Sequence, residues 1–491
     1  MDRTLLFLAY FFPPRGGAGV QRSVKFAKYL PQFGWKPLVI AHGGMADNAS
    51  GVMDPTLLKD LPPEHVVRYT ALLQGEKDSY YRAQKKWRQP FFATDPMAWW
   101  ADPAARLGLE MAAESHPSAI FVTMSPFTAA VAGIQLKKKT GLPLVLDLRD
   151  PWALDETRIY TTRWHARRDW KQMQLALTAA DLVIMNTPAA AAAVQNEFGN
   201  GRPADAAGPR ITARVISITN GYDAEDFGKD SPQAAPSDIL RIVHTGMFHS
   251  ELADVWDKVY TGDGMLNRLK YPRRPINLWT RTPRYLLAAM EKLIQNGAIP
   301  KEKLQLVLVG EISTRDREMI QNSPMAANVK VLGYRSHAES VNWVESADVL
   351  FLPLHTPTDG GPALVVPGKT YEYLGSGRPI LAMGPPGDMK NFVEQTHSGI
   401  AIAGDDVDGA AAALQKFYEA KRAGRKLLEQ DRDAVARFER KELTSRLADE
   451  LDELTQSNQK TKTVVMNALI PSPPGTPGGE GIRRSLNIRD T

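Results

Sequence analysis

Three stretches of this sequence combine residue types that could bind a phosphate or a sugar. In the first, YFFPPRGGAGVQR (10–22), an apolar run passes through glycines into a helical pattern. Backbone N–H groups at a helix start attract a phosphate, and Gly17 and Gly19 would allow its close approach. A dinucleotide fingerprint would need a third glycine at Arg22, and no Walker loop follows. The stretch predicts an anion site or a tight structural turn, and disfavours a plain NAD or ATP site.

The second stretch, LDLRDPW (146–152), ends an apolar run with charged residues. A buried strand here would deliver Asp147, Arg149 and Asp150 to its carboxyl end, where parallel sheets bind ligands. A carboxylate beside a guanidinium stays ionised and can accept hydrogen bonds. This pattern predicts acid and base chemistry or binding of a substrate hydroxyl, with an internal Asp–Arg pair as the structural alternative.

The third stretch, DGGPALVVPGKTYEYLGSGRPILA, spans residues 359–382. It predicts a helix that begins near Gly368, with Lys369 and Glu372 near its first turn. Helix N-terminal N–H groups and a lysine favour a diphosphate, and a nearby glutamate can accept hydrogen bonds from both ribose hydroxyls. Helix capping would explain the glycines equally well, but Lys369 and Glu372 favour a functional site.

Composition narrows the chemistry. The chain has 491 residues, 43% of them hydrophobic, and no cysteine, which excludes disulfides, thiolate metal sites and a cysteine nucleophile and favours a reducing compartment. The N-terminus reads as a core strand, not a signal peptide, so we expect a cytoplasmic protein. His42, His244, His249 and His337 have no metal-ligand spacing, and we expect no metal site and no cofactor.

Basic residues cluster in the first half of the chain, although the net charge is only +5. The clusters are Arg82–Pro90, Lys137–Lys139 and Arg163–Lys171. Basic runs with interspersed tryptophans suit a solvated helix face or an anionic membrane surface. Contact with a nucleic-acid backbone is the least favoured alternative. Among the functional interpretations, we expect that the protein associates peripherally with the inner face of the membrane and has no nucleic-acid partner.

Short β-rich runs alternate with helical patterns along the chain, which predicts an α/β fold with parallel sheets. We expect two Rossmann-like domains, 1–222 and 239–425, whose sheets face an interdomain cleft. A polar linker, 223–238, would join them. The second domain would carry an insertion at 248–284, and a C-terminal helix, 426–457, would precede a flexible tail, 458–491.

The sequence resembles the GT-B glycosyltransferases, specifically retaining family 4. The stretches that carry the resemblance are YFFPPRGGAGVQR, VTMSPFTAAVAG, LDLRDPW, ITNGYDAEDF, HTG, VKVLGY and PGKTYEYLGSGRPIL. Their order and spacing fit the family from about residue 4 to about residue 450, apart from the insertion.

The resemblance implies roles for individual positions. Gly17 and Gly19 would lie against the donor diphosphate or sugar. Lys369 and the N–H groups around Gly368 would hold that diphosphate from the other domain.

The same resemblance implies that Glu372 binds the donor ribose and that the backbone at Gly333 and Tyr334 holds the base. Ser125, Arg149 and Asp150 would face the sugar and the acceptor, with Arg149 and Asp150 as the catalytic candidates.

Two positions depart from the family pattern. The first glutamate of its paired-glutamate motif, eight residues before Glu372, is Leu364 here. The Arg/Lys pair expected after HTGMF is replaced by the insertion, from which Arg273, Arg274 or Arg281 could supply the charge.

The predicted function is metal-independent transfer of a sugar, with retention, from a nucleoside diphosphate sugar to a glycan or lipid-linked acceptor in surface polysaccharide synthesis. A nucleotide-sugar epimerase and an inactive GT-B scaffold stay open as alternatives.

Overall fold

The computed structural model describes residues 3–43, 53–70, 95, 97–201, 210–228, 238–262, 264, 267–426 and 428–469. The basic cluster Arg82–Pro90 lies outside the described residues, as do residues 229–237 of the expected linker and 470–491 of the expected tail.

The N-terminal domain is built on a parallel sheet of seven strands in the order β3-β2-β1-β4-β5-β7-β8. Its five central strands are almost entirely apolar and buried, as expected for a parallel sheet covered on both faces, whereas the edge strands β3 and β8 are mostly part-exposed. The strands of the N-terminal half are β1 Arg3–Ala9, β2 Trp35–His42, β3 Val66–Thr70, β4 Ala119–Met124, β5 Leu144–Leu148, the short β6 Ile159–Tyr160, β7 Leu182–Met185 and β8 Arg214–Ser217.

Five helices cover this sheet within the described residues. They are α1 Ala18–Tyr29, α2 Ala101–Ser115, α3 Ala129–Thr140, α4 Arg163–Ala179 and α5 Pro188–Phe198. The two faces of the sheet contribute to two separate apolar cores.

The C-terminal domain has a parallel sheet of six strands in the order β13-β12-β9-β14-β16-β17. Short strands at its margin pair elsewhere. The strands are β9 Leu240–Thr245, β10 Tyr271–Pro272, β11 Ile276–Asn277, β12 Leu304–Val309, β13 Val329–Gly333, β14 Val349–Pro353, β15 Thr356–Pro357, β16 Ile380–Met383 and β17 Gly399–Ile402.

Helices again cover both faces of this second sheet. They are α6 Ser250–Thr261, α7 Arg284–Gln295, α8 Thr314–Gln321, α9 His337–Glu345, α10 Lys369–Ser376, α11 Asp388–Gln395, α12 Val407–Arg422 and α13 Arg432–Ala436. The last described helix, α14 Arg440–Leu469, packs on the N-terminal domain instead. Capping boxes fix the starts of α8, at Ser313 and Asp316, and of α9, at Ser336 and Glu339.

Both sheets have the doubly wound strand order, which confirms the predicted α/β fold with two Rossmann-like halves. The strand order reverses between β1 and β4 in the first sheet and between β9 and β14 in the second. Ligands in such sheets bind at the carboxyl ends of the strands beside this reversal. The loops that follow these four strands are therefore where a site is expected.

The expected insertion, 248–284, connects the two domains. Strand β10 pairs antiparallel with β6 of the N-terminal domain, whereas β11 pairs antiparallel with β15 of the C-terminal domain. The segment thus bridges the domains at one end of the cleft.

The C-terminal helix α14 returns to the N-terminal domain and extends past the expected end at residue 457 to Leu469. Leu443, Leu447 and Leu451 are buried in a core that includes α1 residues. Asp452 accepts a hydrogen bond from Trp35 Nε1 at 2.7 Å. These contacts therefore fasten the last described helix to the first domain.

No helix in the described ranges is long and apolar enough to cross a membrane.

Candidate functional site in the interdomain cleft

Three glycines bring the carboxyl ends of β9, β12 and β13 into close contact. Gly246, Gly310 and Gly333 have φ values of 96°, 130° and 71°, which side chains rarely allow. The Gly310 amide donates to the Gly333 carbonyl at 2.8 Å, and a Cβ on Gly310 would lie 2.9 Å from the Gly246 carbonyl oxygen. This edge of the sheet therefore presents bare backbone to the cleft.

Lys369, the first residue of α10, lies directly beside this backbone. A Cβ on Gly246 would lie 2.7 Å from Lys369 Nζ. Burial and the nearby Arg281 lower the pKa of Lys369 to about 7, although Glu372 acts in the opposite direction. The lysine is therefore close to half-protonated at neutral pH, and an anionic ligand would favour its charged form.

His244 forms a hydrogen bond with the Lys369 amine. His244 is buried, its Nδ1 lies 2.9 Å from the Phe351 carbonyl oxygen, and its Nε2 lies 3.3 Å from Lys369 Nζ. A carbonyl only accepts, so Nδ1 carries the hydrogen and Nε2 accepts from Lys369. Burial, and secondly Lys369, hold the pKa of His244 well below its ordinary value. His244 thus orients the lysine as a neutral ring.

Arg281 is the insertion arginine that joins this group. The positive charge of Arg281 lowers the pKa of Lys369 and also that of His249. Burial is the larger cause for His249, whose pKa falls to about 3. Burial lowers the pKa of Arg281 itself to about 10, opposed by Asp155 and Glu156.

The other two insertion arginines are engaged elsewhere. Arg274 binds Asp359 and Glu156, whereas Arg273 stacks over Trp170. The sequence left these three arginines open, and the structure brings Arg281 to Lys369.

The remaining C-terminal candidates surround the same edge. Gly368 is exposed, and Tyr334 is 59% exposed just after β13. Glu372 interacts electrostatically with Arg440 and with His337. A hydrogen bond with Asp226 raises the pKa of His337.

On the opposite side, the glycine loop after β1 meets the turn after β5. Gly17 has a φ of 95°, and its Cβ position is open. A Cβ on Gly19 would lie 2.5 Å from Arg149 Nη1, so only a glycine leaves this guanidinium its place. Arg149 Nη2 lies 3.3 Å from the half-exposed carboxylate of Asp150, and Ser125 is half-buried in the turn after β4.

Three charged residues near these loops have structural roles. Asp147 is fully buried and accepts from Arg22 Nη2 at 2.7 Å and from Thr123 Oγ1 at 2.7 Å. Lys25 is buried between Asp60 and Asp223. An anion at the glycine loop would therefore not meet Arg22 or Lys25, because their charges are already matched.

Glu156 is a residue that the sequence analysis missed. This fully buried glutamate of the N-terminal domain reaches His355 Nε2 at 2.6 Å and Arg274 Nη1 at 3.1 Å. Its oxygens also accept from the Leu364 amide at 3.1 and 3.3 Å. The position within LDLRDPWALDETR gave no periodic signal, because only the tertiary fold brings it across the cleft.

Leu364, where the family pattern has a glutamate, is held by the N-terminal domain. Its carbonyl accepts from Thr187 Oγ1 at 2.8 Å, and its side chain packs against the apolar core of that domain. A carboxylate therefore does lie beside position 364, but it belongs to Glu156 and its oxygens are taken by protein donors.

No group of three or more acidic or histidine side chains in the described residues is arranged to hold a metal ion.

Comparisons with known proteins agree with this architecture. Residues 276–420 match the family model described as Glycosyl transferases group 1. None of the curated proteins compared with the sequence matches it.

Among solved structures, the N-terminal domain of trehalose-6-phosphate phosphatase from Candida albicans is 12% identical with a TM-score of 0.57, over 92% of this chain and 97% of that one. Sucrose-phosphate synthase from Thermosynechococcus elongatus is 13% identical with a TM-score of 0.53, over 95% and 100%. HepE from Anabaena, in complex with UDP and glucose, is 17% identical with a TM-score of 0.49, over 95% and 100%.

The two likenesses with the higher TM-scores establish the fold, which is the two-domain GT-B architecture. The family match adds that the segment carrying Arg281, Lys369 and Glu372 is similar to the group 1 glycosyl transferases. A GT-B fold with such a segment in its C-terminal half is what the resemblance in the sequence predicts.

Proposed function

We propose that this protein transfers a sugar, with retention of anomeric configuration, from a nucleoside diphosphate sugar to a hydroxyl of a glycan or lipid-linked acceptor. The observation that carries the proposal is the pair Lys369 and Arg281, two basic side chains near enough that Arg281 lowers the pKa of Lys369, with Lys369 Nζ beside the bare backbone of Gly246. Neither side chain forms a salt bridge with a carboxylate in the described part of the chain. Their mutual repulsion would be relieved by a diphosphate.

In the proposed reaction, the bond between the sugar anomeric carbon and the terminal phosphate oxygen breaks and a bond to the acceptor oxygen forms. The acceptor proton passes to the departing diphosphate. Negative charge develops on that diphosphate, and fixed cations stabilise it without reorganisation. Lys369 and Arg281 would supply this stabilisation, so the proposed reaction is metal-independent.

The other candidates have complementary roles in this proposal. Glu372 would accept from the ribose hydroxyls, and the backbone at Gly333 and Tyr334 would hold the base. Gly17 and Gly19 would let the N-terminal backbone approach the sugar.

Arg149, Asp150 and Ser125 would face the transferred sugar and the acceptor. Because Asp150 is more exposed than Arg149, its carboxylate is the group that we propose contacts the acceptor hydroxyl.

Contacts between the domains would exclude water from the cleft. Glu156 and Thr187 of the N-terminal domain bind the backbone at Leu364, and Asp388 accepts from the Ala189 amide at 2.8 Å. We propose that these contacts form the closed arrangement in which transfer occurs.

Binding of ligands to purified protein tests the proposed donor site. A thermal-shift panel of UDP, GDP, ADP and dTDP, with their sugars, should reveal one nucleotide that stabilises the protein. Lys369→Ala and Glu372→Ala should each reduce that shift. Lys301→Ala and Glu302→Ala, at two consecutive exposed positions outside the proposed site, are matched controls that should leave the thermal shift intact. If no nucleotide stabilises the protein, or if both site variants retain the full shift, the donor site is wrong.

A second candidate function is an inactive scaffold that binds a sugar nucleotide or a partner. Leu364 favours it, because the carboxylate expected at this position is replaced by an apolar side chain packed into the other domain. Tight nucleotide binding without any turnover, across a set of donors and acceptors, would support the scaffold.

A further inference from the structure

A cavity of about 1010 Å³ lies between helix α4 and the insertion. One wall is α4, whose Arg163, Arg167 and Lys171 are spaced by four residues and share one exposed face. The opposite wall is Tyr271 of β10 followed by Arg273. Its volume is ample for a sugar phosphate or larger ligand.

The cavity is strongly positive. Arg163, Arg167, Arg168, Lys171 and Arg273 line it, and Glu197 is the acid among the lining residues. The nearby Asp169 does not neutralise these cations. It is fully buried and accepts from Arg158 Nη1 at 2.8 Å, Trp152 Nε1 at 2.9 Å and Tyr160 Oη at 2.7 Å. Even with Arg168 left aside, Arg163, Arg167, Lys171 and Arg273 outnumber Glu197 among the described lining residues.

Aromatic rings hold several of these guanidinium groups in place. Arg168 lies 5.6 Å from the ring centre of Trp164, Arg163 lies 5.5 Å from that of Tyr271, and Arg273 lies 5.1 Å from that of Trp170. A guanidinium that stacks on a ring keeps its N–H donors directed sideways, in its own plane. This arrangement suits the oxygens of a phosphate better than an apolar chain.

The cavity adjoins the cleft. Its lining includes Ala153, three residues beyond Asp150. The Arg273 amide donates to the Arg158 carbonyl at 3.0 Å, and the next residue, Arg274, reaches Glu156 at the interdomain contact. A ligand held here by one end could therefore extend toward Asp150.

We propose that this cavity binds the phosphate or diphosphate group of the acceptor, so that the acceptor's sugar hydroxyl lies in the cleft near Asp150. This inference rests on the proposed transferase function and adds the chemical class of the acceptor. The phosphate can belong to a soluble sugar phosphate or to a lipid-linked diphosphate, since both present the same oxygens to Arg167 and Lys171.

Direct binding measurements on the full chain test this assignment. The probes are glucose 1-phosphate, geranyl diphosphate, neutral glucose, and vesicles of phosphatidylglycerol with phosphatidylcholine. The test variant is Arg167→Gln with Lys171→Gln. The control is Lys138→Gln with Lys139→Gln, which removes the same charge from exposed positions on α3. The Lys369→Ala variant reports any probe bound at the donor site.

We expect at least one phosphate probe to bind the wild type and to lose about tenfold or more in affinity in the test variant, because two charged donors are removed. The control pair and Lys369→Ala should retain that binding, and glucose should not bind. Preference for glucose 1-phosphate indicates a soluble acceptor, whereas preference for geranyl diphosphate indicates a lipid-linked one.

Several outcomes would overturn the inference. These are equal loss of affinity in the control pair, loss of affinity in Lys369→Ala alone, failure of both phosphate probes to bind, or binding of vesicles without binding of either phosphate probe. The nucleotide thermal shift separates this failure from that of the donor site. If nucleotides shift the melting temperature but the test variant does not change phosphate-probe binding, only the acceptor site is wrong. If the test variant weakens phosphate-probe binding but no nucleotide shifts the melting temperature, only the donor site is wrong.

Discussion

The protonation of Lys369 should couple donor binding to pH. Its pKa of about 7 arises from burial and from the charge of Arg281. A bound diphosphate would favour the charged lysine and raise that pKa, so binding should take up a proton above pH 7. At pH 8 the free lysine would be about 9% protonated and uptake about 0.9 proton, with affinity about tenfold weaker per further pH unit, or about 1.4 kcal/mol.

Three of the other groups near Lys369, namely His244, His249 and Arg281, contribute little to this slope. His249, with a pKa of about 3, and the buried His244 stay neutral across the range. Arg281, with a pKa of about 10, stays charged below pH 9. The terminal phosphate titrates at about pH 6, below the range of pH 7 to 9 in which the slope is measured. His337, whose pKa is raised by Asp226, is the group whose contribution a Lys369 variant must isolate.

Calorimetry between pH 7 and 9, in two buffers of different ionisation enthalpy, measures the proton uptake. The titrant is the nucleoside diphosphate that performs best in the thermal-shift panel. Lys369→Met should bind more weakly and lose the slope, whereas Arg281→Met should move the onset of the slope to higher pH as it weakens binding. A flat wild-type profile, or an identical slope in Lys369→Met, would refute this reasoning.

Three further substitutions test individual contacts. Glu156→Gln should lower the free energy of unfolding by about 3 kcal/mol in urea titrations, since it breaks a buried ion pair, whereas the exposed-pair control Glu114→Gln should change it by less than about 1 kcal/mol; equal effects would contradict the interdomain role. Gly19→Ala should displace Arg149 and reduce kcat while the nucleotide thermal shift is retained, and unchanged kcat would count against Arg149 at the sugar. Gly310→Ala should cost about 1–3 kcal/mol of stability because of its positive φ, and a neutral result in the same titration would remove the strained-backbone account.

The fold could be predicted from the sequence because parallel strands leave a strong local signal. Most strands of the two large sheets are apolar runs bounded by turn residues, and their alternation with helical patterns is what predicts the α/β fold. Strand β3, Val66–Thr70, gives a weaker signal because Thr70 is its one buried residue. The two-residue strands β6 and β10 carry no pattern of their own and exist only because the insertion meets the N-terminal domain.

The parts of the candidate site that could be predicted are those in which the functional residues lie close together in the sequence. Lys369 and Glu372 follow a recognisable helix start, and the structure brings Lys369 to the backbone of Gly246. The choice of Arg281 over its neighbours could not be made, because it depends on which arginine the fold pairs with Glu156. The role of Asp147 could not be chosen either. Only the tertiary structure shows that it forms a buried ion pair with Arg22, which favours the structural alternative over a catalytic one.

The departure at Leu364 shows what sequence comparison alone leaves out. Read by itself, the missing glutamate removes a carboxylate from the site. In the structure, Glu156 from the other domain binds the Leu364 amide, and Thr187 binds its carbonyl. The position has therefore become part of the contact between domains.

Product analysis by NMR tests the central claim, glycosyl transfer, most directly. The donor selected by thermal shift is incubated with wild type and with Lys369→Met, with and without phosphate-bearing and neutral saccharide acceptors. We predict donor consumption only in the presence of an acceptor and of Lys369, with a product that keeps the anomeric configuration of the donor. An isomerised donor formed without acceptor, or tight binding with no turnover under any condition, would contradict the claim.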